Sequence, residues 1–178
     1  FHKASNESFS SIVASSNVMK KVVKDASRMA ELDGNILIFG ETGTGKELLA
    51  KACHDASRRA TSAFLTMHCS SMPGELAELE LFGGHSSDSN KAGLLENAQG
   101  GTLFLHEVAD LSPSLQTRLL RVLQEGSLRF SDGEIHDLDV RIVCSISRSV
   151  SLALSRSLAP APARPTMFPR ARPAARLP

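Results

Sequence analysis

A chain of 178 residues with 42% apolar content is long enough for one domain with a real core. Its formal net charge of +1 argues against a nucleic-acid footprint spread over the whole surface, and the absence of Trp and Tyr against stacking platforms for single strands. No stretch stays apolar long enough to cross a membrane, and the three cysteines, Cys53, Cys69 and Cys144, lack zinc-like or redox spacing, which suits reduced thiols in a cytoplasmic protein.

Residues 1–8 are polar and are expected to form a flexible segment. Phe1-His-Lys-Ala-Ser5 has no signal-peptide character, and the missing Met suggests a fragment. Phe9 to Val13 is a short apolar entry. From Asn17 to Ala30, apolar residues at 18, 19, 22, 23, 26, 29 and 30 have the spacing of an amphipathic helix. Asp33-Gly34 then turns the chain into Ile36–Phe39, which reads as a buried strand. That run enters Gly40-Glu41-Thr42-Gly43-Thr44-Gly45-Lys46, a fit to the pattern G-x-x-x-x-G-K. Glu47 and Leu48 open a helix with apolar residues at 48, 49, 52 and 53. Strand, glycine loop and helix in this order make a phosphate-binding loop. The glycines let backbone N–H groups curl round a phosphate, the helix N-terminus adds partial positive charge, and Lys46 supplies a full one. Residues 40–48 are therefore the candidate nucleotide ligands.

Phe64–Met67 reads as the next strand, Met72–Glu80 as a short acidic helix, and Leu81–Asn90 as a loop rich in Gly, Ser and Asn. Lys91–Ala98 is expected to be a short helix, closed by Gly100-Gly101. Thr102–Leu105 is a third strand, ending in His106-Glu107. Ser112-Pro113 opens a helix that Gly126 stops, with a core stripe at 115, 119, 120, 122 and 123. Leu128–Leu138 reads as a hairpin around Asp132-Gly133, and Val140–Cys144 as a fourth strand. Alternating strands and helices imply an α/β fold with a parallel sheet, whose ligand sits at the carboxyl ends of the strands. That end gathers the glycine loop, His68, His106, Glu107 and Ser145–Ser147. From 149 to 178 the chain has no acidic residue and alternates arginine with proline, which reads as a disordered tail. A basic arm for nucleic acid or a membrane surface is the alternative for the tail; elsewhere direct DNA binding is not supported.

Residues 9–148 resemble the central AAA+ ATPase domain of bacterial sigma-54-dependent enhancer-binding regulators. The matching stretches are Gly40–Glu47, Glu80-Leu-Phe-Gly83, Asn97–Leu105, Leu119–Gln124 and Asp139–Ile142. The resemblance implies a P-loop NTPase fold, a three-layer αβα sandwich, with ATP or ADP and Mg²⁺ as cofactors. It implies RNA polymerase and further copies of the chain as partners. It also implies that Ile12 and Val13 lie against adenine, and that Glu107 is the catalytic base orienting the attacking water.

Several positions depart from the family pattern. Gly84–Ala92 replaces the longer GAFTGA loop that touches sigma-54, which is similar to the TyrR-like branch acting through ordinary sigma-70 polymerase. His106 stands where the family's Mg²⁺-holding Asp would be, and imidazole is a poor ligand for a hard cation. His68 stands where an Asn restrains the Glu, and Ile146 where a Thr approaches the γ-phosphate, with Ser145 or Ser147 as possible replacements. His68 and His106, ending neighbouring strands, would suit Zn²⁺ or Ni²⁺; the plainer reading is two substitutions tolerated after activity was lost. The resemblance ends near Arg148, so the arginine-bearing helix and the lid subdomain are expected to be missing, and the tail resembles an altered reading frame. The combined expectation is retained nucleotide binding with impaired hydrolysis. A ring-forming ATPase that remodels transcription complexes and a non-functional product of a broken gene are the alternatives.

Overall fold

The computed structural model describes residues 8–86, 89–130 and 132–147. The tail read from 149–178, and residues 1–7 of the flexible segment, lie outside them. Helix α1 (Asn17–Glu31) starts where the Ser16 hydroxyl accepts the Met19 N–H at 3.2 Å. Strand β1 (Ile36–Gly40) delivers the glycine loop to α2 (Lys46–Asp55). Next come β2 (Phe64–His68), α3 (Gly74–Phe82), and a small hairpin of β3 (Gly84–Ser86) and β4 (Ser89–Lys91). One helical turn, α4 (Leu94–Asn97), leads into β5 (Thr102–His106). Helix α5 (Pro113–Glu125) has the expected Ser112 cap, the proline in its first turn, and Gly126 at φ 65° closing it. A second hairpin pairs β6 (Ser127–Arg129) with β7 (Ile135–Asp137), before β8 (Arg141–Ser147). No described helix is long and apolar enough to cross a membrane.

The main sheet is parallel, in the order β1-β8-β5-β2. Alternate residues of each strand serve opposite faces. On one face, Ile36, Ile38, Phe104 and Val143 pack with Ala26 and Ala30 of α1 and with Leu49, Ala50, Ala52 and Cys53 of α2. On the other, Met67, Leu103, Leu105 and Ile142 pack with Leu81 of α3, Leu95 of α4 and Leu115, Leu119 and Val122 of α5. Two apolar clusters separated by one sheet make the three-layer αβα architecture. Burial pushes the Cys53 thiol up to about 11 and the Cys69 and Cys144 thiols up to about 12.

The structure corrects the sequence reading at four places. The expected buried strand β1 is covered on one face only: Leu37 is 48% and Phe39 62% exposed, because β1 lies at the edge of the described sheet. Leu120, expected in the core stripe, is exposed on α5. The loop read over Leu81–Asn90 holds the end of α3 and most of the β3–β4 hairpin. The helix read from Lys91 shrinks to Leu94–Asn97, because Lys91 is spent on β4 and the chain must then pass close to the end of α3. A Cβ on Gly93 would lie 2.3 Å from the Gly83 nitrogen and 2.7 Å from the Leu81 carbonyl oxygen. Gly93→Ala must push backbone apart there, so urea unfolding should show a loss of about 1–3 kcal/mol.

Two arginines tie the layers together. Arg141, 2% exposed, donates to the carbonyls of Met29 (2.7 Å), Ala30 (3.3 Å) and Gly34 (3.0 Å), at and just beyond the C-terminal end of α1. Arg59 forks onto Asp33 at 2.8 and 3.0 Å and reaches Asp139, so its guanidinium holds the Asp33 carboxyl below the usual range despite partial burial.

Candidate functional site

The sheet order brings the carboxyl ends of β1, β8, β5 and β2 side by side, and every chemically able residue singled out in the sequence on these strand ends falls there. At the end of β1 the loop turns through Gly43 (φ 81°) and Gly45 (φ 83°), left-handed conformations that favour glycine. Gly45 is also the residue before α2, so the free N–H groups of the first turn of this ten-residue helix open onto the loop. Inside the loop, Thr44 donates twice to the Glu41 carbonyl, from its amide at 3.3 Å and its hydroxyl at 2.7 Å. A side chain on Gly40 would meet that hydroxyl at 2.8 Å, so the tight curl also needs glycine at the end of the strand.

Lys46 is buried, at 6% exposure, with its ammonium beneath the loop. It donates to the carbonyls of Gly40 (3.1 Å) and Glu41 (3.2 Å) and lies 3.0 Å from Glu107 Oε1. That last contact is an ion pair outside hydrogen-bond alignment. Glu107 is equally buried, at 7%, and holds φ 57°, ψ 56°, a left-handed backbone that a glutamate seldom adopts. The strain is held from β8. The Glu107 N–H donates to the Ser145 hydroxyl at 3.1 Å, and Glu107 Oε2 accepts the Ser147 N–H at 2.5 Å. Burial alone would push the Glu107 carboxyl up; the Lys46 charge and the Ser147 donors outweigh it and hold the carboxyl below its ordinary value. Glu107 is therefore an anion at neutral pH, aimed at the base of the loop.

Ser145 and Ser147 thus position Glu107, a role the sequence reading did not give them. The signal lay in the strand order, which inserts β8 between β1 and β5. Ile146, between them, is half-buried and in register with Phe39.

His68 and His106 end β2 and β5 in register with each other, as the sequence suggested, with ring centroids 5.1 Å apart. His106 Nδ1 is buried without a hydrogen-bond partner. Among the described residues no three of His, Cys, Asp and Glu gather round one point. A donor set of two imidazoles does not fit Mg²⁺, which takes oxygen ligands.

The outlying candidates are Ile12, Val13 and Leu48. Ile12 packs partly against the α1–α2 side of the core, Val13 is 84% exposed, and Leu48 projects into solvent from the first turn of α2.

A family model described as "Sigma-54 interaction domain" matches residues 12–158. The matched range passes the boundary read at 148, into residues that lie outside the described ones. The HTH-type transcriptional regulatory protein TyrR of Citrobacter braakii is 43% identical over 152 residues, covering 84% of this chain and 29% of that protein. NtrX from Brucella abortus, solved in complex with ADP, superposes with a TM-score of 0.72 at 35% identity, over 82% of this chain and 33% of that one. NtrX in complex with ATP gives the same TM-score at 34% identity, over 83% and 34%. The chain thus spans about a third of the length of the relatives it matches.

Proposed function

The chain belongs to the sigma-54 interaction domain family, and from that premise we propose that it is the nucleotide-binding part of a transcription regulator that keeps ATP or ADP binding while its hydrolysis is impaired. The observation that carries the first half is the glycine loop with a buried lysine ammonium at its base. NtrX, similar over this stretch, was crystallised with both ADP and ATP. In this reading the backbone of residues 40–45 and the first turn of α2, Lys46 to Leu48, cradle the phosphates. Lys46 meets the outer ones, and Ile12 and Val13 lie against the base.

The second half rests on the donor set. Phosphoryl transfer in this class is mostly positioning and charge stabilisation, with a metal ion bridging the outer phosphates. Here the position expected to hold Mg²⁺ presents the His106 imidazole, while Glu107 remains able to orient a water. Contacts with RNA polymerase, self-association and a cytoplasmic location belong to the same proposal, as properties of the whole regulator.

Isothermal titration of ATP and ADP, with and without Mg²⁺, tests both halves. The expected result is binding that Mg²⁺ leaves nearly unchanged and phosphate release at background level. Absence of binding overturns the first half. Steady release that disappears in Glu107→Gln overturns the second.

A further inference from the structure

We propose that His54 is a pH-sensitive latch: neutral, it fastens the carboxyl end of α2, the helix that begins with Lys46, onto β2 and β5, and a second proton on its ring releases that end. The proposal does not rest on the nucleotide reading above.

His54 lies in the last turn of α2 and is 1% exposed. Its ring stands against the Phe64 ring of β2, with centroids 5.1 Å apart. Its Nδ1 is 2.9 Å from the Thr102 hydroxyl at the start of β5. Thr102 is fully buried, and its hydroxyl makes no other hydrogen bond among the described residues. The ring also bonds to the Ser62 backbone, a contact that favours the protonated form, as an accepting carbonyl does. The one proton of the neutral ring therefore goes to Ser62, and Thr102 donates to Nδ1. The neutral ring thus satisfies both partners. A proton on Nδ1 takes away the acceptor of the Thr102 hydroxyl in a place that water does not reach.

The charges around the ring do not repair this. Burial, the largest influence, holds the His54 imidazole below its ordinary pKa of about 6.5. Lys51 on α2 and Arg141 on β8 push the same way. Asp55 on α2, the Ser62 backbone and the negative end of α2 push back. Lys51 and Asp55 pair with each other at 2.7 Å, so their effects oppose. β2 and β5 meet the ring with Phe64 and Thr102, which do not titrate.

Linkage fixes the sign. The fold prefers the neutral ring, so the stability His54 contributes is complete above about pH 6.5. It is lost as pH falls from there towards the folded pKa. Carboxylates of the unfolded chain titrate about two units lower, which leaves this window to histidine. Beyond α2 the chain runs through turns to Phe64, so the last turn can lift while the sheet stays paired.

The test follows the full chain from pH 7.5 to 5.5. The equilibrium constant for urea unfolding should rise about tenfold, as one proton taken up by the unfolded chain alone requires. His54→Asn carries no charge, and its side-chain oxygen still accepts from Thr102. It should cut the rise to less than about twofold. Amide exchange, corrected for its intrinsic pH dependence, should quicken more at residues 50–55 than at 113–125. The His54 ring of the parent, followed by NMR, should titrate below about 6.5, which decides the matter if His54→Asn does not fold. A full rise in His54→Asn, or none in the parent, overturns the proposal. So does a His54 ring that titrates at or above about 6.5. Exchange that quickens equally in the two helices overturns it too, because the proton would then act on the whole fold.

Discussion

Lys46→Ala is expected to weaken ADP binding about 10- to 100-fold and to destabilise the fold by about 3 kcal/mol at pH 7. The affinity loss follows from removing a charged donor to phosphate, worth about 1.5–3 kcal/mol, with about 1.4 kcal/mol for each tenfold. The stability loss has a separate cause. Glu107 is buried and lies against the Lys46 ammonium at 3.0 Å. Without that charge, Oε2 keeps its Ser147 donor while Oε1 faces a low-dielectric surrounding unpaired. Breaking a buried pair from one side costs about 3–5 kcal/mol, and the helix N-terminus offsets part of it.

The pH dependence separates the two losses. In the parent chain the Glu107 carboxyl is held low, so the stability it contributes is present above its unfolded pKa and disappears as pH falls through the folded one. In Lys46→Ala, burial dominates and raises the folded pKa. The penalty should then be full at pH 7 and shrink towards pH 5, as the carboxyl takes a proton. Urea unfolding at the two pH values reads this directly. A penalty that does not change with pH would show that the pair is not what Lys46 contributes to the fold. Adding Glu107→Gln should recover part of the loss, as expected of coupled neighbours.

Arg141→Leu is expected to cost about 3–5 kcal/mol and to release α1 from the sheet. Its guanidinium is almost wholly enclosed and spends its donors on Met29, Ala30 and Gly34. The substitution leaves those carbonyls without their donor in a buried place and removes a positive charge from the negative end of the helix. Arg141→Lys should lose less, about 1–2 kcal/mol, because one ammonium cannot span three carbonyls on two sides of the helix end. The checks are the midpoint of urea unfolding and amide exchange in residues 17–31. Exchange there as slow as in the parent would remove Arg141 from the role of anchor.

The glycine loop was legible because its physics is local. Gly43 and Gly45 are needed for positive φ, and Lys46 follows at a fixed distance. The α5 helix was legible for the same reason, with its cap, proline and stop all within its own span. The register of His68 with His106 followed once the order of the strands was assumed. What could not be read depends on partners far away in the chain. Nothing in Ile36–Phe39 says that one face would stay uncovered, because an apolar residue reports its preference and not its neighbour. The left-handed turn at Glu107 is imposed from β8, 38 and 40 residues later, and no local pattern marks it. The β3–β4 hairpin is composed of turn-forming residues, and pairing across so short a loop overrides their propensity.

The three thiols, Cys53 and Cys69 buried and Cys144 half-buried, have a practical meaning for chemistry done on this chain. A thiol with a pKa of about 11 to 12 is a thiolate only about once in 10⁴–10⁵ molecules at pH 7, against about one in thirty for a free cysteine. Alkylating reagents attack the thiolate, so Cys53, Cys69 and Cys144 will stay silent while the fold persists. A single cysteine introduced at a solvent-facing position would therefore carry a fluorophore selectively, with the native three left in place. The appearance of further labelled sites would serve as a clock for opening of the core.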